Sequence, residues 1–102
     1  MIKIAEHPNE LSWGPNQIAV VSVSGKKICV ARVQDQLYAF AYKCPHASGL
    51  MSQGFLDVLG NVVCPLHRYK FDLKTGRNTS GEGFFLKRWM IEVNEEGVFV
   101  DL

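Results

Sequence analysis

The sequence predicts an all-β domain, an antiparallel β sandwich or small barrel. Three observations carry that expectation. Short β-branched and aromatic runs recur along the chain, turn signals separate them, and no segment shows sustained helical periodicity. At 102 residues the chain has the size of one small unit, so a single domain spanning residues 1–102 is expected.

The elements follow in order. Met1-Ile2-Lys3-Ile4-Ala5 runs at once into Glu6, His7 and Pro8, without the basic start, apolar middle and small-residue cleavage site of a secretory signal. Residues 9–13 alone have a claim to a helical turn, which Pro15 ends. Residues 18–23 and 27–33 are β-branched runs joined by Ser24-Gly25-Lys26, the pattern of a hairpin. Gln34-Asp35-Gln36 punctuates the chain before residues 37–42, which completes a three-strand meander. Residues 55–58 and 61–64 make a short pair around Leu59-Gly60, and residues 69–73 lead to the turn signal Lys74-Thr75-Gly76. After a polar loop over residues 77–83, one strand is expected over residues 84–93. Asn94-Glu95-Glu96-Gly97 turns the chain into a closing strand, Val98-Phe99-Val100.

Composition excludes several function classes. A net charge of +1, with Lys and Arg scattered among Asp and Glu, supplies no global field for nucleic acid or an anionic membrane. The longest apolar runs are strand-sized and too short to span a bilayer as a helix. Three cysteines leave one over from any disulfide framework, which favours metal chemistry in the cytoplasm.

Two runs carry the chemistry: Cys44-Pro45-His46 and Cys64-Pro65-Leu66-His67. In each, a cysteine comes first and a histidine follows two or three positions later. Thiolate and imidazole together narrow the metal to zinc or iron–sulfur. A C2H2 finger takes its cysteines from a hairpin and its histidines from one helix. Here each run mixes one of each, and neither has helical character. Two loops that each give one sulfur and one nitrogen suit two metal positions, one taking both sulfurs and the other both nitrogens. Pro45 and Pro65 would stiffen the loops where the sulfurs are aimed, and Gly49 and Gly54 would let backbone pass close by.

On these residues the chain resembles the Rieske family, whose pattern is Cys-x-His, a spacer, then Cys-x-x-His. The resemblance extends through Phe71-Asp72-Leu73-Lys74-Thr75-Gly76. It implies a Rieske-type antiparallel β fold with two cluster-binding loops at strand ends, holding one 2Fe-2S cluster. Cys44 and Cys64 would hold a buried inner iron, and His46 and His67 an outer iron near solvent. The implied activity is one-electron transfer, with no catalysis expected of the chain alone.

High-potential members carry an additional, disulfide-bonded cysteine in each loop, at positions corresponding to Gly49 and Leu66, and a serine and tyrosine where this chain has Tyr69 and Phe71. Both cysteines are missing and fewer hydroxyls can reach sulfur, so the resemblance implies a low-potential ferredoxin, near about −150 mV. Two low-potential subgroups fit: ferredoxins of aromatic-ring dioxygenases, and the small subunit of NADH-dependent nitrite reductase. Retention of all four ligands favours an active carrier between a reductase and a terminal oxygenase or nitrite reductase. A non-redox assembly subunit and a structural zinc module are the other readings.

The remaining candidates have plainer expectations. Cys29 reads as a small buried hydrophobe, and His7 lies far from both runs. Trp13, Trp89, Phe84, Phe85 and Phe99 read as core or partly buried strand residues. Lys43, Arg68 and Lys70 could make the cluster end mildly positive, and Leu50 and Met51 could offer it an apolar contact.

Overall fold

The computed structural model describes residues 1–46 and 49–102. Its strands are β1 (Ile2–Ala5), β2 (Ile18–Val23), β3 (Lys26–Val33), β4 (Gln36–Ala41), β5 (Phe55–Leu56), β6 (Asn61–Val63), β7 (Lys70–Asp72), β8 (Arg88–Trp89), β9 (Ile91–Asn94) and β10 (Gly97–Val100). They form three antiparallel sheets, ordered β1-β10-β9, β2-β3-β4-β8 and β5-β6-β7. The all-β antiparallel expectation holds.

The meander forms as its pattern requires. Ser24 and Gly25 are both left-handed, with φ of 51° and 79°, so the two-residue turn between β2 and β3 matches the strand twist. In β3, Ile28, Cys29, Val30 and Ala31 are all buried, because this sheet is covered on both faces. Ile28 and Val30 pack toward Val98 and Val100 of β10. Cys29 and Ala31 point the other way and join Phe40, Met51, Val62 and Phe71. Alternate residues of one strand thus feed two cores. Each buried Ile or Val contributes about 1.5–3 kcal/mol of transfer free energy.

Two expectations are corrected. The single strand over residues 84–93 is two strands in different sheets, β8 beside β4 and β9 beside β10. The break falls at exposed Met90, whose carbonyl accepts from the Asp101 N–H at 2.9 Å, as the chain turns the corner between sheets. The helical turn lies at Pro8–Glu10 rather than residues 9–13. His7 caps it, its Nδ1 accepting from the Asn9 N–H at 3.1 Å, and Glu10 reaches back to the His7 N–H at 3.3 Å. Residues 2–5 form β1, antiparallel to β10.

Candidate metal centre

Both ligand runs spring from strand ends, and their loops close alike. Cys64 directly follows β6, and Cys44 comes three residues after the end of β4. The Cys44 N–H donates to the Gly49 carbonyl and the Cys64 N–H to the Tyr69 carbonyl, each at 2.8 Å and each five residues on. Bridges between Lys43 and Leu50 and between Val63 and Lys70 lie just outside these bonds. The second loop is tightened further by the Arg68 N–H, which donates to the Cys64 carbonyl at 2.9 Å. Arg68 is left-handed there, with φ of 59°.

The side chains converge. Ligand atoms of Cys44, His46 and Cys64 all lie within 4.8 Å of one another. Cys44 Sγ is 2.5 Å from His46 Nδ1, and His46 Nε2 is 2.9 Å from His67 Nδ1, which brings the fourth residue to the same place. The cysteines are 4% and 0% exposed and belong to the core around Phe40, Met51 and Phe71. His46 is half-buried and His67 exposed.

Electrostatics and space suit a metal. Burial, then the neighbouring His67, lower the pKa of His46, with Glu82 opposing. A lowered value keeps the imidazole in its neutral, ligating form. Gly49 is tight against the second run, since a Cβ there would sit 3.1 Å from Cys64 Sγ and 3.2 Å from the Leu66 Cβ. Gly54 is tighter, because its Cβ would meet the Val63 carbonyl oxygen at 2.2 Å. These glycines allow the loops to approach. Burial pushes the Cys29 thiol up to about 12, which makes it a poor thiolate ligand. Two thiols and two imidazoles gathered from two loops could hold a two-metal centre with sulfur inside and nitrogen outside.

The surroundings hold residues that sequence reasoning misplaced. Phe84 and Phe85 are exposed rather than core. The Phe84 ring centroid lies 5.8 Å from those of His46 and Tyr69, and Tyr69 stacks on His46 at 3.9 Å. Met51 is fully buried, so it offers no surface contact; Leu66, half exposed, does. Buried Asn78 organises the loop before Phe84, accepting from the Glu82 and Gly83 N–H groups at 2.6 and 2.8 Å and donating to the Lys70 carbonyl. The sequence signal for that staple was an asparagine in a polar loop followed by a glutamate and a glycine.

Known proteins share this arrangement. The family described as "Rieske [2Fe-2S] domain" matches residues 2–83. The ferredoxin component of a naphthalene 1,2-dioxygenase system from Pseudomonas aeruginosa is 32% identical over 83 residues, 80% of this chain and 79% of that protein. Other ferredoxin components of naphthalene dioxygenase systems align over 54% of their own length. Among solved structures, a chain of the reduced oxygenase and oxidized ferredoxin complex of carbazole 1,9a-dioxygenase superposes with a TM-score of 0.79 at 30% identity, covering 98% of this chain and 100% of that one. A protein described as the small subunit of an NADPH nitrite reductase gives a TM-score of 0.81 at 26% identity, covering 99% of this chain and 97% of that one. The convergence of paired thiols and imidazoles therefore has its explanation in descent: this chain belongs to the Rieske [2Fe-2S] domain family, with a [2Fe-2S] cluster as its cofactor.

Proposed function

We propose that the chain, as a single domain over residues 1–102, carries single electrons from a reductase to a terminal oxygenase. In this reading Cys44 and Cys64 hold the inner iron and His46 and His67 the outer one. The observation that carries it is the convergence of the four side chains at the tip of two rigidly closed loops. When bound, the cluster supplies a one-electron couple. The chain's own residues keep the sulfur side dry, hold His46 neutral and leave His67 at the surface, where a partner's redox group can approach. The named ferredoxin relatives support an oxygenase as acceptor. An odd count of three cysteines supports a cytoplasmic setting, and among the described residues no helix is long and apolar enough to cross a membrane.

Nitrite reductase is the second reading, favoured by the near-complete superposition on that small subunit. Rates of reduction by a ring-hydroxylating system's reductase and by a nitrite reductase flavoprotein, measured side by side, separate the two.

The ligand set is tested on anaerobically purified protein. Two irons and two labile sulfides per chain, with a Rieske-type EPR spectrum after dithionite, are expected. One zinc and no colour would remove the carrier. A midpoint near about −150 mV that falls at alkaline pH is expected from imidazole ligation without extra hydroxyl donors to sulfur. A value near about +300 mV would contradict the low-potential reading.

A further inference from the structure

We propose that a lysine-walled groove beside the first ligand loop is the docking pad for a redox partner whose surface clusters carboxylates around an apolar side chain. The inference rests on the electron-carrier reading above and adds where, and to what chemistry, the carrier binds. The groove has a volume of about 450 Å³. Ala41, Tyr42 and Trp89 line it, and Lys26, Lys27, Lys43 and Lys87 complete the lining. Basic residues scattered in sequence are thus gathered in space, four of the chain's seven lysines on one face of a molecule whose net charge is only +1.

Strand pairing brings them together. Lys26 and Lys27 open β3, Ile28 pairs with Ala41 of β4, and the Ala41 N–H donates to the Lys87 carbonyl at 2.9 Å. Lys26 Nζ sits 4.8 Å from the Trp89 ring centroid and Lys27 Nζ 5.5 Å from that of Tyr42. Cation–π contact holds each ammonium over the aromatic floor and leaves its N–H donors for oxygen acceptors. Among the described residues no carboxylate lines the groove, and the one ion pair is Lys3 with Glu6. The four charges are unneutralised.

The shape favours a protein over a small anion. Small-molecule sites enclose the ligand and fix it with a few rigid polar groups. This groove is open, and its charged groups are all exposed, flexible lysines. An aromatic centre inside a cationic rim is instead the anatomy of a protein interface, in which Trp and Tyr anchor and lysines speed encounter. Position supports the same occupant. Tyr42 and Lys43 run directly into Cys44, so the floor lies within about 8 Å, along Cα atoms, of the first ligand. A partner seated here stands beside the cluster end.

The test titrates the ¹⁵N-labelled holoprotein with an acetylated pentapeptide of one phenylalanine flanked by two glutamates on each side. Its lysine counterpart and benzoate serve as the other arms. Expected are shifts of the Trp89 indole and of the amides of Lys26, Lys27 and Lys87 with the acidic peptide alone. Binding should weaken about threefold or more between roughly 20 and 200 mM NaCl. The shifts should vanish in the Lys26→Glu/Lys87→Glu double variant, or in Lys26→Gln/Lys87→Gln if charge reversal perturbs folding. No shifts, salt-insensitive shifts, or equal binding of the lysine peptide would overturn the proposal. Tighter binding of benzoate than of the peptide would also overturn it, marking a small-anion site. EPR of the same samples reports the cluster separately, so failure of the pad and failure of the carrier reading are distinguishable.

Discussion

The sulfur half and the imidazole half of the centre are built on different principles. Cys44 and Cys64 are part of the hydrophobic core, packed with Phe40, Met51 and Phe71. His46 and His67 stand above it, held by loop closure and by rings, Tyr69 and Phe84, that are themselves half-buried or exposed. The difference teaches that burial of the metal and exchange of electrons are carried by separate structural layers. Changes in the lower layer should affect fold and cluster together, and changes in the upper layer should affect the cluster and its redox behaviour without the fold.

The largest expected effect comes from breaking the lower layer at its ligands. Cys64→Ala, or Cys44→Ala, should lose essentially all iron, sulfide and visible absorption. Retained colour in either variant would remove that cysteine from the ligand set. Replacing His67 by Cys sharpens the contrast, because this proposed ligand is exposed and its exchange should leave folding intact. The cluster should persist while its midpoint moves from near about −150 mV toward the about −400 mV of all-cysteine plant-type ferredoxins. Its dependence on alkaline pH should also weaken. An unchanged midpoint and pH profile would show that His67 is no ligand.

Met51→Ala probes the floor without touching a ligand. Met51 is fully buried in the core cluster that includes both cysteines, and its truncation should cost about 2–5 kcal/mol in denaturant unfolding of the holoprotein. A cost below about 0.5 kcal/mol would mean that the floor is not packed as described. The smallest effect is expected at Asp57, in the turn that feeds β6 and the second loop. Its carboxylate accepts from the Leu59 and Asn61 N–H groups at 2.9 Å and from Asn61 Nδ2 at 3.0 Å. Burial raises the Asp57 pKa, but the bonds from Asn61 and Leu59, with Lys70, outweigh it, so the folded-state pKa is lowered. A lowered carboxylate pKa contributes stability that is present above its ordinary value and lost as pH falls through the folded one. Asp57→Ala should therefore cost about 1–2 kcal/mol at neutral pH, a deficit that narrows below about pH 4. A deficit unchanged at low pH would assign the effect to the turn and not to the carboxylate's charge.

Most of the fold was legible because its strands alternate, or are continuously apolar, over lengths that only strands satisfy. The β2–β4 meander could be read from Ser24-Gly25 and the β-branched runs around it. The division at Met90 could not, since residues 84–93 look like one strand until β4 and β10 are known to lie in different sheets. The cysteine and histidine runs were legible because few chemistries need both donors in both loops. The aromatic company of His46 was not. Phe84 is seventeen positions from His67 in the chain, and the Asn78 staple and the bridge of Phe85 to Arg77 return it to the site. Met51, adjacent to Leu50, reads as surface because a local pattern cannot show that a 3-10 turn at Met51–Gln53 rolls it inward.

The bonds that shut the two ligand loops run from one peptide group to another and involve no cysteine or histidine side chain. Loop closure and cluster binding thus draw on different groups. Exchanging a thiol or imidazole at the loop tips leaves in place the main-chain ties that shut each loop.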